Sequence, residues 1–305
     1  MSRVLVTGGT GFVGRHCLAP LVERGFETHA VSRAGPDDEL VGGVPEVAWH
    51  VADLLAPGEA SRLVDEVRPT HLLHLAWFAE PGSYWESPQN LAWLAASVTL
   101  LGEFADRGGR RIAVAGSGAE YAASDRPCAE DATPIEPASL YASSKHALHL
   151  AAAAYARTAG TSLAWARLFF LYGPHERPER LVPSIARAVL AGESAAATDG
   201  TQVRDFLHVV DAGDALAALL DCPVEGAVNI ASGDPVAVAR VAELTATAAG
   251  RPDLLRLGEL ARPSGDPPTI AAAVARLGDE VGWRPRIGLE HGVERTVAWW
   301  RERTG

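Results

Sequence analysis

Short apolar runs alternate with stretches of helical spacing through the first half of the chain. The runs predict buried strands at residues 3–7, 27–32, 46–51, 70–75, 110–116 and 161–168. Between them, apolar positions three and four apart predict helices at residues 11–23, 91–106 and 139–158. Strands that alternate with helices form right-handed crossovers and a parallel sheet that is covered on both faces. We therefore expect an α/β fold with a doubly wound parallel Rossmann sheet.

The pattern changes near residue 173. Prolines at positions 174, 178 and 183 interrupt the chain, a helix is predicted at residues 181–191, and a mixed region follows. We expect a Rossmann domain over residues 1–172 and a smaller C-terminal α/β substrate lobe over residues 173–305, with the chain free to cross between them. The cleft between the two parts is the expected ligand site.

Composition and charge exclude several classes of partner. The 305 residues are 48% hydrophobic and 21% charged, which is typical of a globular protein. Lysine and arginine number 27 against 38 acidic residues, so the formal net charge is −11. An acidic chain without a basic run is a poor match for nucleic acid or an anionic membrane. An anionic ligand must instead meet a few local arginines and helix ends.

The cysteines and the N-terminal pattern bear on location. A strand is predicted from residue 3 with no signal segment before it, and no stretch of about 18 apolar residues occurs. Cys17, Cys128 and Cys222 are far apart and have no histidine or cysteine at metal-ligand spacing. These features favour reduced thiols, no metal site and a cytoplasmic protein.

A glycine-rich loop follows the first predicted strand and opens the first predicted helix. Within it, Gly8, Gly11 and Gly14 have the spacing that permits a tight turn, close approach to a pyrophosphate, and close helix packing. Phe12 and Val13 complete the loop, and the helix N-terminus would face the anion. In this strand–loop–helix context the motif predicts a dinucleotide site.

The end of the second strand predicts which dinucleotide binds. An acidic residue there accepts from a ribose 2′-hydroxyl, whereas an arginine accommodates a 2′-phosphate. This chain has Ser32 and Arg33, so NADP(H) is favoured and NAD(H) is the alternative. Asp53, after the third strand, either accepts from the adenine amino group or supplies a helix N-terminal acid.

The only lysine of the chain stands four residues after a tyrosine. Tyr141 and Lys145 therefore share one face of the helix predicted at residues 139–158. A phenol has a pKa of about 10, and a cation one turn away is expected to lower it. Ser117 ends the fifth strand at the edge where open α/β sheets bind ligands. These three residues are the candidate catalytic group.

With these motifs the sequence resembles the extended short-chain dehydrogenase/reductase superfamily, and within it the nucleotide-sugar epimerase/dehydratase branch. The resemblance covers nearly the whole chain. It rests on Thr7–Gly14, Asp53-Leu54, His74-Leu-Ala76, Ser117 four before Tyr121, Tyr141–Lys145, Tyr172-Gly-Pro174, Arg204–His208, Arg262–Asp266 and the 277–285 segment.

The resemblance implies a Rossmann domain, a lobe that binds a nucleotide diphosphate sugar, and a homodimer formed through two long helices. It implies that Tyr141 is the acid or base, that Lys145 tunes it and binds ribose, and that Ser117 orients the sugar oxygen. Arg204 and Arg262 would contact the diphosphate. The remaining expected contacts are Leu54, Leu75 and Ala76 with the cofactor, and Trp77 and Phe169 with the substrate.

At several positions this chain differs from the residues usual in the branch, and these differences reduce the number of reactions that we expect it to catalyse. Sugar 4,6-dehydratases carry an Asp-Glu pair where this chain has Gly118 and Ala119, and fucose-synthase-type enzymes need a cysteine in that loop. The asparagine usual before Tyr-Gly-Pro is Phe170, which makes the pocket more apolar. Aromatic residues in the 77–85 loop either wall a deoxysugar or form ordinary packing.

We therefore expect reduction of a nucleotide-linked keto-deoxysugar, at C4, with NADPH. A nucleotide-sugar 4-epimerase with tightly held NAD would use the same residues and is the first alternative. A non-catalytic dinucleotide sensor or scaffold is the second, and the presence of Ser117, Tyr141 and Lys145 together argues against it.

Overall fold

Fourteen strands and nine helices make up the computed structural model, which describes residues 2–304. The strands are β1 (Arg3–Thr7), β2 (Glu27–Ser32), β3 (Ala48–Val51), β4 (His71–His74), β5 (Arg111–Ser117), β6 (Ser162–Leu168), β7 (Phe170–Tyr172), β8 (Ala195–Ala197), β9 (Val203–Arg204), β10 (Phe206–His208), β11 (Gly226–Ile230), β12 (Val236–Ala237), β13 (Leu255–Leu257) and β14 (Thr269–Ile270). The helices are α1 (Gly14–Glu23), α2 (Asp38–Gly43), α3 (Glu59–Val67), α4 (Gln89–Asp106), α5 (Leu140–Ala159), α6 (Leu181–Leu190), α7 (Val209–Asp221), α8 (Val238–Ala249) and α9 (Leu289–Thr304).

The central sheet has seven parallel strands in the order β11-β6-β5-β4-β1-β2-β3. The order reverses at β1, which pairs with β2 on one side and β4 on the other. Open parallel sheets bind ligands at such a switch point, beyond the carboxyl ends of the strands. The predicted doubly wound α/β fold is confirmed.

Two apolar cores lie on opposite faces of this sheet. One contains buried side chains of α1 and α7, and the other contains those of α3, α4 and α5. Helices α1 and α7 approach closely because position 213 is glycine: a Cβ there would lie 2.1 Å from the His16 carbonyl oxygen. This contact fixes the helix that follows the glycine-rich loop against the sheet.

The C-terminal part packs α6, α8 and α9 around a third apolar core, beside small sheets formed by β8 with β13 and by β12, β9 and β14. The chain crosses back to the main sheet at α7 and β11, so residues 209–230 lie with the first part in space. The division at residues 172–173 is therefore not a single spatial boundary.

The predicted elements differ from the observed ones mainly at their ends. Helix α1 begins at Gly14 rather than at residue 11, because the Gly11 N–H closes a turn onto the Gly8 carbonyl at 2.9 Å. Strand β5 extends one residue further than predicted and includes Ser117.

The outer faces of α4 and α5 carry exposed apolar side chains. They are Leu91, Val98, Leu150 and Tyr155. Within residues 2–304, no helix combines the length and apolar character needed to cross a membrane.

Four histidines are held neutral by the fold. Burial lowers the pKa of His16 and His149 to about 4, and that of His74 and His208 to about 3. The unfolded chain takes up these protons near pH 6.5, whereas the folded chain does not. These histidines therefore do not reduce the free energy of unfolding above pH 6.5. Below pH 6.5 the free energy of unfolding falls, because the unfolded chain binds protons that the folded chain does not.

We predict that the free energy of unfolding falls between pH 7.5 and pH 5, and that each of these histidines accounts for about 2 kcal/mol of the fall. His208 caps α7 by accepting the Val210 N–H, a role that asparagine also performs. His208→Asn should therefore reduce the pH dependence by about 2 kcal/mol. Urea unfolding followed by circular dichroism at both pH values measures this change. The exposed His291→Asn is the control, and an unchanged pH dependence in His208→Asn would contradict the prediction.

Candidate active site

The glycine-rich loop folds as a cradle at the start of α1. Gly8 has a φ of 72°, and a Cβ there would lie 3.1 Å from the Ala76 backbone. A Cβ on Gly14 would lie 2.1 Å from the Gly8 carbonyl oxygen. Both positions therefore require glycine, for conformation and for space. No side chain within residues 2–304 caps α1, so the N-terminus of this helix suits an anion.

A buried hydrogen-bonded chain joins the ends of β1 and β4 beside this cradle. The Thr7 hydroxyl accepts from the Leu75 and Ala76 N–H groups at 3.0 and 3.1 Å and lies 2.7 Å from His74 Nδ1. Its one proton is donated to Nδ1, which assigns the ring proton of His74 to Nε2, 2.8 Å from Ser97 Oγ. Leu75 and Ala76, predicted at the cofactor, are thereby fixed against Gly8.

The end of β2 presents the two residues predicted to read the ribose. The Ser32 hydroxyl is buried and lacks a hydrogen-bond partner among the described residues, and the Arg33 side chain is exposed. Asp37, further along the same loop, pairs with Arg15 at 2.9 Å and caps α2 through the Leu40 N–H.

Asp53 and Leu54 follow β3. The Asp53 carboxylate accepts the Leu55 N–H at 3.1 Å. Helix α3 begins only at Glu59, so Asp53 is not an acid of its first turn. Of the two interpretations of Asp53, only the adenine contact remains a prediction.

The candidate catalytic residues lie at the carboxyl end of β5 and in the first two turns of α5. Ser117 ends β5, and its hydroxyl accepts the Ala119 N–H at 3.2 Å. The Ser139 hydroxyl caps α5 by accepting the Ala142 N–H at 3.1 Å, which places Tyr141 in the first turn. The Ser117 side chain acts on the phenol by lowering the pKa of Tyr141, against the effect of burial. The structure therefore brings together a hydroxyl, a phenol and an ammonium.

Lys145 points to the strand rather than to the phenol. Its ammonium donates to the Ala115 carbonyl at 2.8 Å and lies 4.0 Å from the centre of the Trp77 ring. Burial lowers the pKa of Lys145 to about 7. Burial also raises the pKa of Tyr141, and the Ser117 side chain opposes that rise. The pKa of Tyr141 is therefore raised and not lowered as expected, because burial is the largest effect on the phenol. The Lys145 ammonium is bound by Ala115 and Trp77 instead.

An aromatic loop packs over Tyr141. The rings of Tyr84 and Trp85 meet the Tyr141 ring edge to face, with centroids 4.9 and 5.6 Å away. The Tyr141 N–H donates to the Trp85 carbonyl at 2.9 Å. Tyr84 is buried, whereas Trp85 keeps an exposed face, so the loop combines packing with an accessible surface.

Sequence reasoning missed the residue that holds this loop. Asn90 is fully buried; it accepts from the Trp77 indole at 2.8 Å and donates to the Tyr84 and Ser87 carbonyls at 2.7 and 2.9 Å. The sequence did offer a signal for this role, because Asn90 is a polar residue at a core-facing position in the first turn of α4. Trp77, predicted at the substrate, is half-buried between Asn90 and Lys145.

Arg204 and Arg262 converge on one carboxylate, which sequence reasoning did not single out. Arg204 is buried and donates to Asp266 at 2.5 Å, and Arg262 lies 3.8 Å from the same carboxylate. Asp205, the neighbour of Arg204 in the sequence, forms no ion pair with it within the described residues. Asp205 instead accepts the N–H groups of residues 232 and 233, because it is buried behind that turn.

Two adjacent phenylalanines lie on different parts of the site. Phe169 is buried and packs against Gly118, where a Cβ would lie 3.2 Å from its ring. Phe170, at the position of the usual asparagine, lies 5.5 Å beneath the Arg204 guanidinium. The wall between Ser117 and Arg204 is therefore apolar.

Comparison with known proteins finds similarity over nearly the whole chain. The model of the NAD dependent epimerase/dehydratase family matches residues 4–231. The UDP-glucose 4-epimerase of Corynebacterium glutamicum is 27% identical over 97% of this chain and 93% of its own length. The dTDP-glucose 4,6-dehydratase of an Actinoplanes species is 27% identical over 98% of each chain. The solved UDP-glucose 4-epimerase of Thermus thermophilus, in complex with NAD, is 29% identical over 98% of this chain and 99% of that one, with a TM-score of 0.86.

Proposed function

Because the chain belongs to the NAD dependent epimerase/dehydratase family, we propose that it reduces a nucleotide-linked keto-deoxysugar at C4 with NADPH. The observation that carries this proposal is the pair of residues at the end of β2. Ser32 offers a buried hydroxyl without a partner in the described residues, and Arg33 is exposed beside it with no carboxylate at either position. A 2′-phosphate would meet a donor and a cation there.

The residues at the start of α1 fit a dinucleotide. Gly8 and Gly14 leave room that a Cβ would fill, and the N-terminus of α1, which no side chain of the described residues caps, suits a pyrophosphate. When bound, a nicotinamide dinucleotide supplies the hydride for the carbonyl carbon. NAD bound to a relative supports the same site for a dinucleotide, and Ser32 and Arg33 support the phosphorylated form.

In the reduction, Tyr141 donates a proton to the carbonyl oxygen while the Ser117 hydroxyl holds that oxygen. Burial raises the pKa of Tyr141, so the phenol keeps the proton that an acid must give. Lys145 lies one turn along α5 and offers donors to ribose hydroxyls. Gly118 and Ala119 supply no acid or base for elimination, which disfavours a dehydratase.

The second candidate is a nucleotide-sugar 4-epimerase with tightly held NAD. Its support is that relatives matched over nearly the whole chain are named as 4-epimerases, one of them solved with NAD. The two functions use the same serine, tyrosine and lysine, so cofactor preference distinguishes them.

The proposed enzyme acts as a homodimer. The support is the exposed apolar face shared by α4 and α5, the two longest helices of residues 2–304. Apolar side chains in such a stripe are the usual core of a helix–helix interface.

We predict that Tyr141→Phe lowers kcat by about 10²- to 10⁴-fold, because the variant lacks the proton donor. Its fold and its affinity for NADPH should be unchanged. Loss of NADPH absorbance with dTDP-4-keto-6-deoxyglucose measures turnover. Ser143→Ala, which removes an exposed hydroxyl from the same helix, is the control. A wild-type rate in Tyr141→Phe would rule out this tyrosine as the acid.

Ser32→Asp should shift preference toward NAD(H), because a carboxylate there repels a 2′-phosphate and accepts from a free 2′-hydroxyl. Titrations of NADPH and NADH, followed by protein fluorescence, compare this variant with the wild type. Ser184→Asp places the same charge on an exposed position of α6 as a control. If wild-type protein binds NADH several-fold tighter than NADPH, the reductase proposal fails and the epimerase is favoured.

Arg204→Ala and Arg262→Ala should each weaken dTDP binding by about 1.5–3 kcal/mol, the range for hydrogen bonds to charged groups. Affinity for NADPH should not change. Arg204→Ala should also lower stability, because it leaves Asp266 without its closer partner. Calorimetric titration of each ligand measures these effects, with the exposed Arg240→Ala as control. Loss of NADPH binding with dTDP binding retained would contradict this assignment.

A further inference from the structure

A fully buried carboxylate lies beneath the end of β5. Glu120 Oε1 accepts from the Ser117 N–H at 2.8 Å and from the Trp165 indole at 2.9 Å, and Oε2 accepts from Arg167 at 3.3 Å. Glu120 is the last residue of a capping box in which the Ser117 hydroxyl caps the same turn. The Glu120 carboxylate therefore binds the backbone of Ser117, and the Ser117 hydroxyl binds the backbone of the turn that contains Glu120.

Glu120 and Lys145 flank the same short piece of strand. The Lys145 ammonium donates to the Ala115 carbonyl at 2.8 Å, and the Glu120 carboxylate binds the N–H of Ser117. Gly116 lies between them, and a Cβ there would lie 2.7 Å from Glu120 Oε1. Any larger residue at position 116 would displace the carboxylate.

The carboxylate acts electrostatically on both helix residues. Glu120 raises the pKa of Lys145, against the lowering by burial, and it also raises the pKa of Tyr141. Removing its charge would therefore make the ammonium easier to deprotonate and the phenol more acidic.

Other polar groups around Glu120 complete a buried network. Arg167 donates to the Tyr121 hydroxyl at 2.9 Å, and that hydroxyl donates to Asn229 at 2.8 Å. The titratable groups facing this cluster from the packed elements are His74 on β4, Tyr121 after β5, Tyr141, Lys145, His146 and His149 on α5, and Arg167 on β6.

The ligand atoms of Glu120, His146 and His149 lie within 4.8 Å of one another, but both Glu120 oxygens already accept hydrogen bonds. We therefore assign the carboxylate to charge control rather than to a metal.

We propose that Glu120 is a positioning residue of the active site, an inference that rests on the function proposed above. Its carboxylate fixes Ser117 through the main-chain N–H and favours the charged form of the Lys145 side chain. Arg167 keeps the carboxylate in place, so the buried charge reaches Lys145 and Tyr141 from a constant position.

The charge effect can be measured without substrate or cofactor, because Lys145 is the only lysine of the chain. Protein grown on lysine labelled with ¹³C at the ε position gives one side-chain NMR signal, whose titration reports the pKa of Lys145. Glu120→Gln should lower that pKa by about one unit, since it removes the charge while keeping the shape. Glu136→Gln removes an exposed carboxylate of the adjacent loop and is the matched control. An unchanged Lys145 titration in folded Glu120→Gln overturns the proposal.

Glu120→Asp tests the positioning role separately, because it keeps the charge beside Arg167. It also serves as the test if Glu120→Gln does not fold. The Lys145 pKa should stay within a few tenths of a unit of the wild type. The side chain is one methylene shorter and should no longer reach the Ser117 N–H, so kcat should fall about 10- to 100-fold with a smaller change in KM. Full kcat in Glu120→Asp overturns the positioning role. Absence of both reductase and epimerase turnover in wild-type protein would instead refute the proposed function, and the NMR titration would stand.

Discussion

The burial of the Lys145 ammonium at the end of β5 is the constraint on which the rest of the site depends. A buried cation needs an acceptor and a compensating charge, since burial alone favours its neutral form. The Ala115 carbonyl supplies the acceptor, the Trp77 ring lies against the ammonium, and Glu120 supplies the charge. Further contacts fix these groups: Ala115 belongs to β5, Asn90 binds the Trp77 indole, and Arg167 binds Glu120.

The same constraint explains why a buried asparagine and an aromatic loop belong to the site. Trp77 can lie under the ammonium only if its indole N–H has a partner, and Asn90 provides it. The amide group of Asn90 also fixes the loop that carries Tyr84 and Trp85 to the Tyr141 ring. Packing around one cation therefore continues into the aromatic loop that lies against the Tyr141 ring.

The buried environment also bears on the direction of the chemistry. Reduction of a carbonyl needs a tyrosine that still holds its proton, and burial raises the Tyr141 pKa in that direction. An epimerase needs the same tyrosine both to accept a proton and to return it. The arginines that pair with Asp266 lie in the C-terminal part, with the Phe170 ring under Arg204 and the Phe169 ring against Gly118.

The sequence by itself determined the sheet, the glycine-rich loop and the Ser117, Tyr141 and Lys145 group. These depend on local signals: alternating apolar runs, a glycine spacing, and two residues one helical turn apart. Only the tertiary structure decided where Lys145 points, that Asp266 rather than Asp205 pairs with Arg204, and that residues 209–230 return to the main sheet. Those outcomes depend on which distant segments meet in the buried interior. Hydrogen bonding and desolvation select partners there, and neighbours along the chain do not reveal them.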